Sequence, residues 1–165
     1  MKNVTIFGKD YTIQEQKSEK DSILNKENVI LIESNAEPAD ALLHEYMTEL
    51  LYNQLCKTYE QIESERKIEV FGNIDFEIVD KIDNKKERIA KLKGNRITVK
   101  LNAIALPKEA LRYVIAHEIA HTFTKKHAKR FWKIVKTIYP NYERGKELLI
   151  KHGKFLSDHL TKLSE

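Results

Sequence analysis

The chain has 165 residues, which suits one compact domain with its own core and is short for two. Hydrophobic residues make up 41% and charged residues 33%, a balance that indicates a soluble folded protein and excludes a largely disordered chain. The net charge of +4 favours polyanions weakly, but it is too common among lysine-rich proteins to assign a nucleic-acid partner by itself.

The chain carries no pattern typical of secretion or membrane insertion. Its first ten residues, MKNVTIFGKD, hold no apolar segment of signal-peptide length, and aliphatic runs such as residues 29–32 are far too short to span a bilayer. Cys56 is the single cysteine, so the chain can form no internal disulfide and no cysteine-based metal site. We therefore expect a cytoplasmic protein that does not bind membranes.

The first part of the chain predicts short strands followed by a long helix. Within residues 1–35, apolar residues on either side of a turn at Gly8 predict two strands, and residues 29–32 predict a third. Ser34 with Glu37 three residues later has the form of a capping box, and Pro38 suits a first helical turn. The apolar spacing that follows predicts a helix over residues 36–64.

The middle of the chain, residues 68–102, predicts strands with one buried face. Apolar residues alternate with polar ones on both sides of a turn at Gly94. The alternating residues are Ile74, Phe76 and Ile78 before the turn and Ile97, Val99 and Leu101 after it.

Residues 106–165 predict helices. Pro107 opens the first helix, in which an apolar stripe recurs at spacings of three and four. A second helix ends at Pro140 and a third continues to Gly153, with leucines beyond it that could extend the tail. Because strands and helices come in blocks rather than in alternation, we expect a single α+β domain with a short antiparallel or mixed sheet and helices at the C-terminal end.

The sequence HEIAH, residues 117–121, lies in the first of these helices. Residues four apart stand one above the other on a helix, so His117 and His121 can present their imidazoles to one metal ion. Glu118 lies beside them, where it can accept a proton from a metal-activated water. Zinc suits two imidazoles, and a catalytic Zn²⁺ takes three protein ligands and leaves one position open. The motif therefore predicts a zinc site that needs a third ligand.

His127 is the candidate that we favour for the third ligand. It lies six residues beyond His121, the spacing found in metzincins, but Thr124 replaces the metzincin glycine and no methionine follows, so ordinary metzincin membership is not expected. The alternative is an acidic ligand from the last helix, Glu143 or Glu147. We place His127 first because imidazole suits zinc and its position is fixed close to the helix end.

A helix that carries histidines without a shared task is the competing interpretation. A chance match to H-E-x-x-H rarely falls within an apolar helix, and two histidines and a glutamate on a buried face cost free energy unless partners satisfy them. The remaining histidines have no partner at matching spacing and are expected at the surface; they are His44, His152 and His159.

A basic run surrounds His127, and an aromatic pair follows it. The run can contact nucleic acid or an acidic substrate, although such runs are most often simply solvated, and we expect the aromatic pair to pack. The run consists of Lys125, Lys126, Lys129 and Arg130, and the pair is Phe131 and Trp132.

Residues 106–149, LPKEALRYVIAHEIAHTFTKKHAKRFWKIVKTIYPNYERGKELL, closely resemble the core of the YgjP-like metallopeptidase domain, which is related to SprT-like and WLM zinc peptidases. In that family a histidine next to a small residue follows the H-E-x-x-H helix, as His127 and Ala128 do here, and a Phe-Trp pair comes next. The resemblance implies a small zincin-like domain and supports His127 as the third zinc ligand.

Two further segments bear on this resemblance. A strand that ends in Asn before the helix, residues 96–102, and a Gly-x-x-Tyr turn, residues 8–11, are also similar to the family. Residues 89–94 depart from it, because the family commonly has a Trp-Gly-Ser-Cys-like segment there. The substrate contact that this segment makes in the family is therefore not expected to carry over.

We thus expect a zinc-dependent metallopeptidase-like hydrolase acting on a peptide or protein substrate. Zinc would be held by His117, His121 and His127, with Glu118 as general base and then as general acid toward the leaving amine. The residue that stabilises the oxyanion stays open; Tyr139, Tyr142 and Arg144 are candidates for which packing or a surface position is the simpler reading.

Two other classes of protein remain open. One is a non-catalytic, zinc-stabilised binding module, which a fourth protein ligand would reveal. The other is a DNA-associated protease of SprT-like type, whose weak nucleic-acid association through the lysine-rich surface would be abolished by salt.

Overall fold

The structure is a computed structural model, and it describes residues 2–35, 39–65, 67–68, 73–83 and 88–153. These residues form small sheets followed by helices, which confirms the α+β class. The strands are β1 (Lys2–Ile6), β2 (Lys9–Lys17), β3 (Ser22–Lys26), β4 (Val29–Ser34), β5 (Asp75–Val79), β6 (Ala90–Lys93) and β7 (Arg96–Lys100). The helices are α1 (Ala39–Ser64), α2 (Lys108–Ala120), α3 (Lys129–Ile138) and α4 (Tyr142–Gly153), with a short 3₁₀ helix at Leu101–Ala105.

The first four strands form one mixed sheet in the order β1-β2-β4-β3. β1 and β2 are antiparallel, with Val4 opposite Tyr11, so the predicted hairpin is confirmed. Gly8 has a φ of 81° and its N–H donates to the carbonyl of Ala105 at 3.0 Å. A Cβ at Gly8 would meet Pro107 Cγ at 3.2 Å, so glycine lets the hairpin turn lie against the start of α2.

The third predicted strand is confirmed as β4, which pairs parallel with β2 and antiparallel with β3. β3 was not predicted. Its residues are largely exposed, Leu24 to 56%, so it lacks the alternation that indicates a strand.

α1 confirms the long helix, from Ala39 onward; residues 36–38, with Glu37 and Pro38 of the expected capping box, lie outside the described residues. The helix contacts β4 of the first sheet, β5 of the second sheet, the 3₁₀ helix and α2. Its buried side chains are Leu43, Leu51, Leu55, Thr58, Tyr59 and Ile62.

The second sheet has the order β5-β7-β6, with β5 parallel and β6 antiparallel to β7. The strands predicted from the alternating isoleucines are confirmed as β5 and β7, although Leu101 begins the 3₁₀ helix instead of extending β7. The strands therefore lie in two small mixed sheets, where the sequence predicted one.

The three predicted C-terminal helices are confirmed as α2, α3 and α4, and Phe123 lies just beyond the end of α2. α2 contacts α1, α3, α4 and β6, so it is surrounded by other elements. Leu156, Leu160 and Leu163 lie outside the described residues. Of the helices in the described ranges, none is both long enough and apolar enough to cross a membrane.

Candidate metal centre

The predicted metal ligands lie on α2 and on the loop that follows it. Every residue from Tyr113 to Ala120 is buried, because other elements cover α2 on all sides. His117 is 5% exposed and Glu118 is fully buried. His121 is half-buried at the end of the helix, and His127 is exposed. The site therefore has a buried side, formed by α2, and an open side at His127.

Tight turns at the end of α2 reverse the chain. Ala120 accepts backbone hydrogen bonds from Phe123 at 3.1 Å and from Thr124 at 3.2 Å. The hydroxyl of Thr122 donates to the carbonyl of Ile119 at 2.6 Å. These bonds cap the free carbonyls of the helix end and direct the following residues back toward the histidines.

The structure brings the three histidines together. Their nearest nitrogens all lie within 4.8 Å of one another, and Nε2 of His121 is 3.0 Å from Nε2 of His127. Two nitrogens bound tetrahedrally to one zinc at about 2.0–2.1 Å lie about 3.3 Å apart. Within the described part of the chain, no other group of three or more His, Cys, Asp or Glu residues could hold a metal. Glu143 and Glu147 are exposed on α4 and do not belong to the group.

Hydrogen bonds place the ring protons of two histidines away from the site. Nδ1 of His121 lies 3.1 Å from the carbonyl oxygen of Thr124, which can only accept, so Nδ1 carries the proton. Nδ1 of His117 lies 3.1 Å from Oε2 of Glu118, a carboxylate acceptor. With the proton on Nδ1, Nε2 of each ring is the nitrogen that can coordinate a metal.

Burial lowers the pKa of His117, because the apolar surroundings disfavour the imidazolium form. The hydrogen bond to Glu118 and its charge act in the opposite direction, and His121 and Lys146 act in the same direction as burial. Burial has the largest effect. The neutral ring is the species that a metal ion requires.

One carboxylate oxygen of Glu118 is hydrogen-bonded, and the other has no hydrogen-bond partner among the described residues. Oε2 accepts from His117, whereas Oε1 is buried without a hydrogen-bond partner among the described residues. A buried carboxylate oxygen without a partner is unusual and typically faces a water or an ion. Together with the three imidazoles, this orphan oxygen fits a site built for a metal ion and a water.

The ring of Phe131, near the start of α3, packs against all three imidazoles. Its ring centroid lies 4.7 Å from those of His121 and His127 and 5.0 Å from that of His117. Phe131 is fully buried, so the expectation that it packs is confirmed, and what it packs against is the ligand set.

A second aromatic group lies beside the histidines and joins α2, α3 and α4. Trp132 is 6.3 Å from His127 between ring centroids, and Tyr142 stacks on it at 5.7 Å. Tyr113 lies 6.5 Å from Tyr142, and burial raises its pKa, so its hydroxyl stays protonated. The ammonium of Lys146 is 4.7 Å from the centre of the Trp132 ring. This group is called the aromatic wall below.

The sequence analysis missed Tyr113 and Lys146. Tyr113 precedes His117 by four residues, a spacing that places both on one helix face. Lys146 carries no such signal, because α4 reaches the site only through the tertiary fold. Of the three candidates for an oxyanion donor, Tyr142 belongs to the aromatic wall, whereas Tyr139 is buried under Arg112 and Arg144 is exposed.

Comparison with known proteins found one family model and one similar structure. A family model described as YgjP-like, metallopeptidase domain, matches residues 1–152, which include the three histidines and Glu118. The crystal structure of the metallopeptidase zymogen of Pyrococcus abyssi abylysin is similar at 23% identity over 60% of this chain and 88% of that chain, with a TM-score of 0.44. No curated protein matches the chain. A metallopeptidase domain implies a divalent metal ion, and the three histidines could bind one.

Proposed function

Since this chain belongs to the YgjP-like metallopeptidase family, as the resemblance of residues 106–149 predicted, we propose that it is a zinc-dependent peptidase. The observation that carries the proposal is the convergence of three imidazole nitrogens within 4.8 Å beside the orphan carboxylate oxygen of Glu118. Three nitrogen ligands with a fourth position open are typical of catalytic zinc.

His117, His121 and His127 are the proposed ligands. The bond from His121 to the carbonyl of Thr124 and the bond from His117 to Glu118 orient two of the rings. When bound, zinc supplies a Lewis acid for the scissile carbonyl and lowers the pKa of water toward neutrality, to about 7 in well-characterised enzymes.

Glu118 is the proposed general base. Its free Oε1 accepts a proton from the attacking water, and the same carboxyl then donates that proton to the leaving amine. The bond from His117 to Oε2 holds the carboxylate in place, so the oxygen without a partner is the reactive one. The substrate approaches from the side of His127, because α2 covers the other side of the site.

An open site is favoured over a closed structural one. No fourth His, Cys, Asp or Glu of the described residues joins the three histidines, so the protein leaves a coordination position for water or substrate. This favours a peptidase over a zinc-stabilised binding module.

The test is metal content by mass spectrometry, measured on the wild type and on His117→Ala and His127→Ala. One zinc per chain in the wild type, lost in both variants, is expected. His44→Ala is the matched control, since His44 is an exposed helical histidine bonded to Asp80. If His127→Ala kept full zinc, the third ligand would be another group, with Glu143 and Glu147 the first to mutate.

Glu118→Gln separates binding from catalysis. The variant keeps the three ligands and loses the proton acceptor, so zinc should remain while peptide hydrolysis falls by about 10²–10⁴-fold. Hydrolysis at the wild-type rate would rule out Glu118 as the general base. A wild-type protein without zinc would rule out the proposed zinc peptidase.

A further inference from the structure

The metal centre adjoins a stretch of the chain that carries cations and no carboxylate. Between Glu118 and Glu143 the chain has six lysine or arginine residues and no Asp or Glu. This stretch carries +6 while the whole chain carries +4, so the rest of the chain is net negative. We call this set the basic face; its members are Lys125, Lys126, Lys129, Arg130, Lys133 and Lys136.

The fold presents the basic face to solvent. α3 buries Phe131, Val135 and Ile138, and at about 100° per residue Lys133 and Lys136 lie opposite that stripe. All six cations of the basic face are exposed. None of them forms an ion pair with another residue in the described ranges, so the charge is not neutralised there.

The basic face is continuous with the site. Lys125 and Lys126 immediately precede His127 in the chain, and α3 begins two residues after it. Lys146 adds a seventh cation from α4, with its ammonium 4.7 Å from the ring of Trp132 in the aromatic wall.

We propose that the substrates of this site are polypeptide segments rich in Asp and Glu, which the basic face and Lys146 hold across the open side of the metal centre. The proposal rests on the proposed peptidase function and names its substrate class. A surface of one charge sign raises the association rate of ligands of the opposite sign. Lys125 and Lys126 directly precede His127, so a chain that they attract is brought to the open side of the site.

A peptide fits this surface better than a single-stranded nucleic acid does. Binding of single-stranded nucleic acid combines cations with exposed aromatic faces on which bases stack. Here Phe131 is fully buried, and the half-buried ring of Trp132 is already in contact with Tyr142 and Lys146. The described residues of the basic face thus supply charge without a stacking platform.

The test measures binding without turnover. Zinc-loaded Glu118→Gln protein is titrated into fluorescein-labelled Glu-rich, neutral and Lys-rich peptides and a thymidine oligonucleotide, and fluorescence anisotropy is read at about 50 mM and about 200 mM salt. We expect the Glu-rich peptide to bind at least tenfold more tightly than the neutral one at low salt, and this preference to shrink at the higher salt.

Charge reversal locates the contact. Lys129→Glu, Lys133→Glu and Lys136→Glu together should weaken binding of the Glu-rich peptide by about tenfold or more, because an exposed ion pair contributes a factor of about 1.4 to 5 and reversal adds repulsion. The matched control reverses Lys17, Lys20 and Lys26, which are equally exposed and belong to the region of the first sheet. Lys146→Met, which removes the ammonium and keeps an unbranched side chain, should weaken binding of the Glu-rich peptide by about threefold and leave binding of the neutral one unchanged.

The outcomes separate this proposal from the peptidase. Two results would overturn the acidic substrate class: equal binding of the acidic, neutral and basic peptides, or equal losses of binding in the two triple variants. Zinc content and hydrolysis would still decide the proposed peptidase function. Tighter binding of the oligonucleotide than of the Glu-rich peptide, lost in the α3 variant, would overturn it in favour of a nucleic-acid surface. Circular dichroism confirms that each variant is folded.

Discussion

Gly145→Ala tests how α4 reaches the metal centre. Gly145 lies in the middle of α4, where the helix crosses α2. A Cβ there would lie 2.6 Å from the carbonyl oxygen of Glu109, 2.8 Å from Cβ of Tyr113 and 2.9 Å from Cε2 of Tyr139. Two of these atoms cannot rotate away, because one belongs to the backbone and the other is a Cβ. The substitution therefore requires α4 to move away from α2.

Two opposing effects set the magnitude. Alanine is the better helix former, which favours the variant by about 1 kcal/mol. Overpacking costs about 1–3 kcal/mol, and three contacts below 3.0 Å place this site in the upper half of that range. The net loss in the free energy of unfolding is about 1–2 kcal/mol, which for a chain of this length lowers Tm by about 2–8 °C.

Thermal unfolding followed by circular dichroism measures the effect. Glu147→Ala is the control, since Glu147 is exposed on the same helix and surface substitutions stay within about 0.5 kcal/mol. Zinc content should be unchanged in both, because the ligands lie on α2 and its loop. A Gly145→Ala variant that unfolds at or above the wild-type temperature would refute the close approach of α4 to α2.

Two more predictions follow from the site. Removing zinc with a chelator should lower Tm of the wild type, since a ligand at about 1,000 times its Kd stabilises the fold by about 4 kcal/mol. The same treatment should leave Tm of His127→Ala nearly unchanged. Equal shifts in the two proteins would show that the chelator acts elsewhere. Burial raises the pKa of Tyr113, so the folded state keeps a proton that the unfolded state loses above about pH 10. Between about pH 9 and about pH 11, the stability of the wild type should therefore fall more than that of Tyr113→Phe. Equilibrium unfolding in denaturant at each pH measures both stabilities. Parallel losses would mean that Tyr113 does not titrate differently in the folded and unfolded states.

The sequence predicted the elements that have both a period and a boundary signal. α2 and α3 carry apolar residues at spacings of three and four, and Pro107 and Pro140 mark where one begins and the other ends. β3 and β6 have neither signal, because the side chains of β3 are largely exposed and β6 has only four residues. Their pairing with β4 and β7 is a tertiary property, so a window of sequence does not contain it.

The candidate site was likewise predictable from the sequence only in part. The spacing of His117 and His121 is a property of one helix and could be read directly, and His127 followed from the short distance to the helix end. The role of Glu118 was predicted from the motif, but its orphan oxygen depends on α2 being covered on all sides. Lys146 was missed because α4 reaches the metal centre through tertiary contacts.

The burial of α2 and the exposure of His127 together explain how this site can bind metal and still accept a substrate. A fully buried set of histidines would exclude the substrate. A fully exposed set would leave Glu118 solvated, so that water would satisfy both of its carboxylate oxygens. Here the buried helix carries two of the proposed ligands and the proposed base, while the turns that end at Thr124 return the third proposed ligand from the solvent side. The same loop carries Lys125 and Lys126, so the segment that would complete the metal site is also the first part of the protein that the proposed acidic substrate would meet.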